Sequence, residues 1–229
     1  MSPEPSSTPL VSVVVPVLAD RQLAQRLLAQ ISQDSRVEII VSEAGNEPGL
    51  ELVAPGRPDV RLIHAGQGRA RQMNAGAALA QGDWLLFLHA DSTLPANWLN
   101  LFESTVGPTH VGGWFRFALD DRAWQARLIE RGVALRIRLL TLPYGDQGLF
   151  VRRRLFTETG GYGDIPLMED VELVTRLRKA GALVEVPAAI TTSARRWKRD
   201  GWFRRSARNL TLLSLYFCGV SPTRLARWY

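Results

Sequence analysis

Acidic and imidazole side chains follow apolar runs of the chain directly. Glu43 comes after the run 37–41, and His89 and Asp91 come after the run 84–88. In open α/β sheets, ligands bind beyond the carboxyl ends of the strands, so these residues are candidates for a functional site. A carboxylate at a buried strand end is costly to keep dry, and it is therefore either open to solvent or paired with a cation.

Each acidic candidate also has a structural alternative. Asp91 could serve as an N-cap or turn residue before Pro95. Glu169 and Asp170 open a predicted helix after a glycine-rich turn, and two acids in the first turn already interact favourably with the helix macrodipole. The residue types alone leave both interpretations open.

A glycine- and arginine-rich segment, GQGRARQMNAG at 66–76, joins a predicted strand to a predicted helix. Its backbone N–H groups and the guanidinium groups of Arg69 and Arg71 could contact phosphate. The alternative is an ordinary loop with a solvated basic start to the helix. The segment is neither a Walker loop nor a dinucleotide fingerprint, because no GK[ST] follows and the glycine spacing differs.

Hydrophobic periodicity predicts the elements that position these residues. The β-branched run 11–17 is typical of a strand buried on both faces, and further strands are predicted at 37–41, 60–63 and 84–88. Helices are predicted at 20–31 and 70–80. This alternation predicts an α/β fold with right-handed crossovers. In the second half the pattern predicts helices at 95–104, 122–142 and 169–180, and strands at 111–119, 148–152 and 184–186.

Composition sets wider limits on partners and location. The 229 residues carry 28 Lys and Arg against 22 Asp and Glu, a formal charge of +6 that suits an anionic partner. The single cysteine, Cys218, excludes an intramolecular disulfide and fits a reducing cytoplasm. Residues 1–9 are rich in Pro and Ser and are predicted to be disordered, without a signal peptide. The apolar run 210–220 is about half the length of a membrane-spanning helix.

Several ordered motifs carry a resemblance to a known family. They are GRARQMNAGA, LHADS, YGDQGLFVRR and MEDVEL, which follow the first two predicted strands in this order. The chain resembles the glycosyltransferase family 2 enzymes of the GT-A fold, and among them small bacterial members with RxxQMNxGA and GDQGxFVRR segments. The resemblance covers residues 10–200 and implies one Rossmann-like domain with a mostly parallel sheet flanked by helices. It implies a nucleotide-binding half at 10–92, an acceptor half at 93–200 and a basic, apolar helical tail at 201–229.

The resemblance implies a metal-assisted transfer of sugar from a nucleotide diphosphate sugar. The family's acidic metal-binding motif corresponds here to His89, Ala90 and Asp91. Asp91 is therefore the expected ligand of Mg²⁺ or Mn²⁺, with His89 as a second candidate. Glu43 stands where family members contact the base, within a turn, SEAGN, that differs from the common family pattern. The other residues expected to bind the donor are Pro16, Val17, Arg69, Arg71, Asn74 and Ala90.

The acceptor side is assigned through the same resemblance. Asp170 matches the general base of the family's ED motif, with Glu169 beside it, and inversion at the anomeric carbon is implied. The expected acceptor-side residues are Asp146, Gln147, Arg196 and Trp197. The acceptor is expected to be a hydroxyl compound, and the apolar tail suggests a lipid-linked one, with peripheral contact to the inner face of the membrane.

Two other functions fit parts of the sequence less well. A nucleotidyltransferase usually places its Gly- and Arg-rich loop directly after the first strand, whereas here that segment comes much later in the chain. A non-catalytic protein that binds nucleic acid would fit the pI near 10.2 and the interleaved Arg and Trp of the tail, but no nucleic-acid motif accompanies them. No nucleic-acid partner is therefore expected.

Overall fold

The computed structural model describes residues 10–18, 21–44 and 54–229, which are organised around an eight-stranded sheet. The strand order is β3-β2-β1-β4-β7-β6-β8-β5. Residues 1–9, which were predicted to be disordered, and the last two residues of the predicted SEAGN turn lie outside the described residues, whereas Ser42, Glu43 and Ala44 belong to a strand. The strands are β1 (Val11–Val17), β2 (Val37–Ala44), β3 (Val60–Ala65), β4 (Trp84–Phe87), β5 (Ser92–Thr93), β6 (His110–Leu119), β7 (Phe150–Arg152) and β8 (Ala182–Thr192).

The sheet is mostly parallel. Strands β1, β2, β3 and β4 pair in parallel, and β6 pairs in parallel with β8. Strand β7 runs antiparallel to both β4 and β6, and the short β5 runs antiparallel to β8. Parallel strands need crossover connections, and helices supply them on both faces of the sheet. The predicted α/β architecture, a mostly parallel sheet flanked by helices, is confirmed.

Helices cover the sheet because alternate residues of a strand point to opposite faces. Val13 and Val15 of β1 pack in one core cluster with the first and third helices, while Val14 packs on the other face with the second, fifth and sixth. The helices are α1 (Arg21–Gln30), α2 (Arg69–Leu79), α3 (Trp98–Thr105), α4 (Trp124–Leu140), α5 (Arg153–Glu158), α6 (Glu169–Ala180), α7 (Arg195–Asp200), α8 (Trp202–Phe217) and α9 (Pro222–Ala226).

The C-terminal helices complete a third core cluster. Leu212 and Leu213 of α8 and Leu225 of α9 pack with Ile137 of α4 and Val174 of α6. This packing brings α8 over the end of the sheet where the acidic residues gather. Within the described ranges, no helix has the length and apolar character needed to cross a bilayer.

Element boundaries follow the sequence prediction in most places, with one clear error. The predicted helix at 169–180 is observed with those bounds. The predicted strand at 184–186 is wrong in length, because β8 runs from Ala182 to Thr192 and pairs along β6 with two register irregularities. Pro187 cannot donate a hydrogen bond to a neighbouring strand, and it lies in the irregularity between Val186 and Ala189, so the local pattern predicted an end at Val186 although the strand resumes beyond it. Helix α5 and strand β5 were not predicted.

Gly132, in the middle of α4, gives a direct test of the helix assignment. A Cβ added at this position would meet no heavy atom within 4 Å. Gly132→Ala should therefore stabilise the protein by about 1 kcal/mol, since glycine is the poorer helix former. We expect the midpoint of thermal unfolding to rise by about 2–4 °C. Gly113→Ala is the opposing control, because its Cβ would lie 2.0 Å from the Val184 carbonyl oxygen. A lower midpoint of thermal unfolding for Gly132→Ala would contradict the open space found at Gly132.

Candidate active site

A cleft forms where the end of β4 meets the N-terminus of α6 and the end of β8. The 3₁₀ turn Gly145–Gln147 borders it on one side and α8 on the other. Predicted residues from distant parts of the chain line it together: Arg69, His89, Asp91, Asp146, Asp170, Arg196 and Trp197. The structure therefore joins metal, base and acceptor candidates in one cleft.

Asp170 presents its carboxylate to this cleft from the first turn of α6. Its Oδ2 accepts a hydrogen bond of 2.7 Å from the backbone N–H of Gly145, and its Oδ1 accepts one of 2.8 Å from that of Val171. A Cβ at Gly145 would lie 3.4 Å from Asp170 Oδ2 and 3.3 Å from His89 Nε2. A glycine thus lets the 3₁₀ turn approach both side chains closely. The two N–H groups hold the carboxylate in one orientation.

Glu169 points the other way and does not line the cleft. It is 2% exposed and forms a short ion pair with Arg69, the first residue of α2. Its Oε2 is buried and has no hydrogen-bond partner. Burial raises the pKa of Glu169, Arg69 opposes that rise, and Asp170 adds to it. Glu169 therefore anchors Arg69 at the cleft wall, while Asp170 faces the open space.

His89 is held as a neutral imidazole between cations. Its Nε2 lies 3.5 Å from Nη1 of Arg69. Burial, together with the charges of Arg69 and Arg196, lowers the pKa of His89 to about 3. A neutral ring keeps a lone pair on one nitrogen, so His89 can accept a hydrogen bond or bind a metal at neutral pH.

Negative charge is concentrated around Asp146. Burial raises the pKa of Asp146 to about 6; Asp170 and Asp91 raise it as well, against the opposing effect of Arg136 and Arg69. The carboxylates of Asp146, Asp170 and Asp91 therefore lie near one another in the cleft. A cleft of this kind attracts a cation, whether a metal ion or a guanidinium group.

The Asp146 carboxyl gives a pH-dependent prediction for stability. Its pKa in the folded protein lies above its usual 3.8, so the folded state holds a proton that the unfolded state releases, and stability falls as pH rises from about 4 to 6. Asp146→Asn removes this loss. The variant should gain stability above pH 6, by at most about 3 kcal/mol because the side chain is partly exposed, and should gain nothing below pH 4. Urea unfolding of the wild type and the variant at pH 4 and pH 7.5 measures this gain in stability. A stability difference between the two proteins that does not change with pH would contradict the raised pKa of Asp146.

The ends of β1 and β2 form a second group of predicted donor-binding residues. Glu43 is buried and makes a two-point ion pair with Arg21 of α1, at 2.6 and 2.9 Å. Gln72 of α2, which was not among the predicted site residues, donates to the carbonyl oxygens of Val17 and Ser42 at 2.6 and 2.8 Å. Its place in the GRARQMN segment was the available signal. Glu43 and Val17, with neighbouring Pro16, lie outside the lining of the cleft, as does Ala90, which packs against the core.

Arg71 and Asn74 are also placed away from the cleft lining. Arg71 forms an exposed ion pair with Asp164, at 2.7 and 2.9 Å. Asn74 donates to the carbonyl oxygen of Tyr162 and accepts from its N–H, at 2.8 and 2.9 Å. These contacts join α2 to the glycine-rich turn before α6.

On the acceptor side, Gln147 differs from the prediction. It is fully buried, where it accepts from the N–H of Tyr144 at 3.1 Å and donates to the carbonyl oxygen of Phe115 at 3.3 Å. It therefore holds the 3₁₀ turn in place and does not contact the cleft, because a buried amide in a tight turn satisfies nearby backbone groups. Trp197 lines the cleft as predicted, and the guanidinium of Arg205 lies 5.1 Å from its ring centre.

Several residues of the C-terminal region line the cleft but were not predicted from the sequence. Arg205 is buried, binds Asp200 at 2.7 Å and donates to the hydroxyl of Tyr229 at 3.1 Å. Asn209 and Tyr229 also line the cleft, as does Tyr144 of the YGDQG segment. The basic and aromatic composition of the tail was the one signal for them, and it does not indicate which side chains turn inward.

Comparison with known proteins places this geometry in a family. A search of curated proteins finds no significant match. The chain does match the family model described as Glycosyl transferase family 2, over residues 12–154. The matched region runs from β1 into α5 and includes Arg69, His89, Asp91 and Asp146 of the cleft, while Glu169 and Asp170 follow it. The match covers more than half of the chain, and the chain therefore belongs to glycosyl transferase family 2.

Proposed function

We propose that this glycosyltransferase moves a sugar from a nucleotide diphosphate sugar to a hydroxyl acceptor by a single inverting displacement. The observation that carries the proposal is the carboxylate of Asp170, fixed by two backbone N–H groups at the wall of a cleft that also contains Asp91, His89 and Arg69. A hydroxyl group is a poor nucleophile until a base within hydrogen-bond reach removes its proton.

In the proposed reaction Asp170 accepts the acceptor's proton. The hydroxyl oxygen forms a bond to the anomeric carbon as the bond from that carbon to the diphosphate oxygen breaks. The diphosphate leaves with the electron pair, and attack from the opposite side inverts the configuration. Arg69 and Arg196 at the cleft wall offer positive charge to the leaving diphosphate, and Glu169 holds Arg69 in position.

The cleft fits a divalent cation that is shared with the substrate. Asp91 supplies an oxygen ligand of the kind that Mg²⁺ and Mn²⁺ prefer, and neutral His89 is a second candidate. Among the described residues no three His, Cys, Asp or Glu side chains stand close enough to hold an ion by themselves. This agrees with a metal held by one or two protein ligands and the substrate phosphates. When bound, the metal would neutralise charge on the leaving diphosphate.

The rest of the donor is assigned to the carboxyl ends of the first strands. Pro16, Val17 and Glu43 lie at the β1 and β2 ends, on the base side, and Ala90 lies beside Asp91 on the diphosphate side. Arg71 and Asn74, both on α2, are the remaining residues of the proposed donor site. Asp146, Arg196 and Trp197 form the proposed acceptor side.

Asp91→Asn tests the metal and donor assignments together. A set of nucleotide diphosphate sugars is screened by thermal unfolding with and without Mn²⁺. A donor at 100 times its Kd should stabilise the wild-type protein by about 2.7 kcal/mol, and the variant should lose the Mn²⁺-dependent part. Asp83→Asn, at the other end of β4, is the matched control. Equal Mn²⁺-dependent stabilisation in wild type and Asp91→Asn would remove Asp91 from the metal site, and stabilisation by no nucleotide sugar would contradict the proposed donor.

A further inference from the structure

A second cavity lies between α4 and α8. We call it the α4–α8 groove. Apolar side chains form most of its wall: Leu128, Ile129 and Val133 from α4, and Phe203 and Leu210 from α8. Gly132 of α4 also borders it, and a Cβ there would still meet no atom within 4 Å. The groove therefore offers an apolar space with room at its α4 side.

The groove adjoins the active-site cleft. Tyr144, Asp146, Trp197 and Asn209 line both cavities. A molecule in the α4–α8 groove therefore lies against residues that also form the wall of the cleft with Asp170. Its apolar part would lie between the helices, and a polar group at its end would lie beside the proposed base.

Exposed apolar side chains surround the mouth of the groove. They recur at helical spacing along α4 and α8, and the rings of Trp124 and Phe203 lie 5.9 Å apart where the two rows meet. We call this surface the apolar face. Its members are 47% to 70% exposed and comprise Trp124, Leu128, Leu135, Leu139, Phe203, Leu210 and Phe217.

Positive charge accompanies the apolar face. Arg131 and Arg138 of α4 are exposed, and helical geometry places them on the flank of the α4 row, since successive residues turn by about 100°. Arg204 of α8 is exposed next to Phe203. Apolar and aromatic side chains flanked by arginines are typical of helices that lie in the interface of an anionic bilayer. Exposed apolar side chains that share one surface and are flanked by charged residues are typical of an interaction site.

We propose that the apolar face docks on an anionic membrane and that the acceptor is a membrane lipid whose hydrocarbon chain occupies the α4–α8 groove. The lipid's hydroxyl then lies in the cleft beside Asp170. The identity of the cleft as the acceptor site rests on the proposed function, whereas docking of the face does not. A second copy of the chain would cover the apolar face, but it would use neither the flanking arginines nor the position of the groove beside the cleft.

Docking is tested by cosedimentation of the full chain with vesicles of phosphatidylcholine and phosphatidylglycerol. The double variant Leu128→Glu/Leu210→Glu places two negative charges on the face, and we expect its vesicle affinity to fall at least about tenfold. Leu79→Glu is the matched control, because Leu79 is an exposed leucine of α2 outside the face, and it should bind as wild type does. Circular dichroism checks that each variant is folded. Undiminished vesicle binding by the double variant, or an equal loss in the control, would overturn the proposal.

Occupation of the groove needs a second measurement, for which Gly132 offers a matched pair. Vesicles with brominated acyl chains quench tryptophans that the chains touch, and the Trp197 contribution is the difference from Trp197→Phe. Gly132→Leu should fill the groove and abolish quenching of Trp197 while vesicle binding persists, whereas Gly132→Ala should leave both unchanged. Equal quenching of Trp197 in Gly132→Leu and wild type would show that no chain enters the groove.

Other results separate this inference from the proposed function. Donor binding is measured by calorimetry with a nucleotide sugar and Mn²⁺ in the absence of vesicles. Vesicle binding and chain entry without donor binding would uphold the lipid site and overturn the transferase assignment. Donor binding without vesicle binding would uphold the transferase assignment and overturn the lipid site. A dimer in sedimentation velocity that the double variant dissociates, with no vesicle binding, would assign the face to a second copy and overturn the membrane proposal.

Discussion

Asp170→Asn is expected to lower kcat by roughly 10² to 10⁴, the usual contribution of a positioned general base, while the donor Kd stays near the wild-type value. The amide can still accept one of the two backbone N–H bonds, from Gly145 or Val171, but it cannot take the acceptor's proton. Calorimetry measures donor affinity, and release of nucleotide measures turnover.

The controls for Asp170→Asn distinguish the loss of a general base from the loss of a negative charge and from a loss of stability. Asp83→Asn removes an exposed carboxylate at the start of β4, at the end of the strand away from the cleft, and should leave turnover unchanged. Glu169→Gln should act mainly through stability and the position of Arg69, because Glu169 is buried away from the cleft. Normal turnover by Asp170→Asn would place the base elsewhere. A Glu169→Gln variant with normal stability and donor affinity but no turnover would indicate that Glu169, and not Asp170, is the general base.

Arg69→Met is expected to lower the free energy of unfolding at pH 8 by about 3 kcal/mol, because it leaves the carboxylate of Glu169 buried without its cation. The value is at the lower end for buried pairs, since the Arg69 side chain is 39% exposed. Without Arg69, the pKa of Glu169 should rise further above that of the unfolded chain. The folded state then binds the extra proton, so the loss should grow with rising pH and shrink at pH 5.

The pairing between Arg69 and Glu169 is isolated by a double-mutant cycle. Urea unfolding is measured at pH 5 and pH 8 for wild type, Arg69→Met, Glu169→Gln and the double variant. The double variant should recover much of the stability that Arg69→Met loses at pH 8, because a neutral amide is less costly to bury than a charge. Additive losses at pH 8, or a loss from Arg69→Met that does not change with pH, would contradict the ion pair as the cause.

Much of the fold could be predicted from local patterns. The valines of β1 and the apolar spacing of α1 predicted a parallel sheet with crossover helices, because periodicity records which faces of an element are buried. The polar residues at the strand ends predicted the position of the cleft. Strand β8 was predicted much too short, since its length depends on pairing with β6, which the residues of β8 do not reveal.

The sequence alone determined which chemical groups the protein has and near which strand ends they lie. It could not rank Glu169 against Asp170: adjacent helical residues point about 100° apart, and either could face the cleft. The tertiary structure decided this through a partner 100 positions away, because Arg69 draws Glu169 inward and leaves Asp170 to the open space. Likewise, the burial of Gln147 in the 3₁₀ turn and the groove between α4 and α8 are seen only in the tertiary structure. Such choices depend on which distant side chain satisfies a buried charge or amide, and that is settled only when the elements pack.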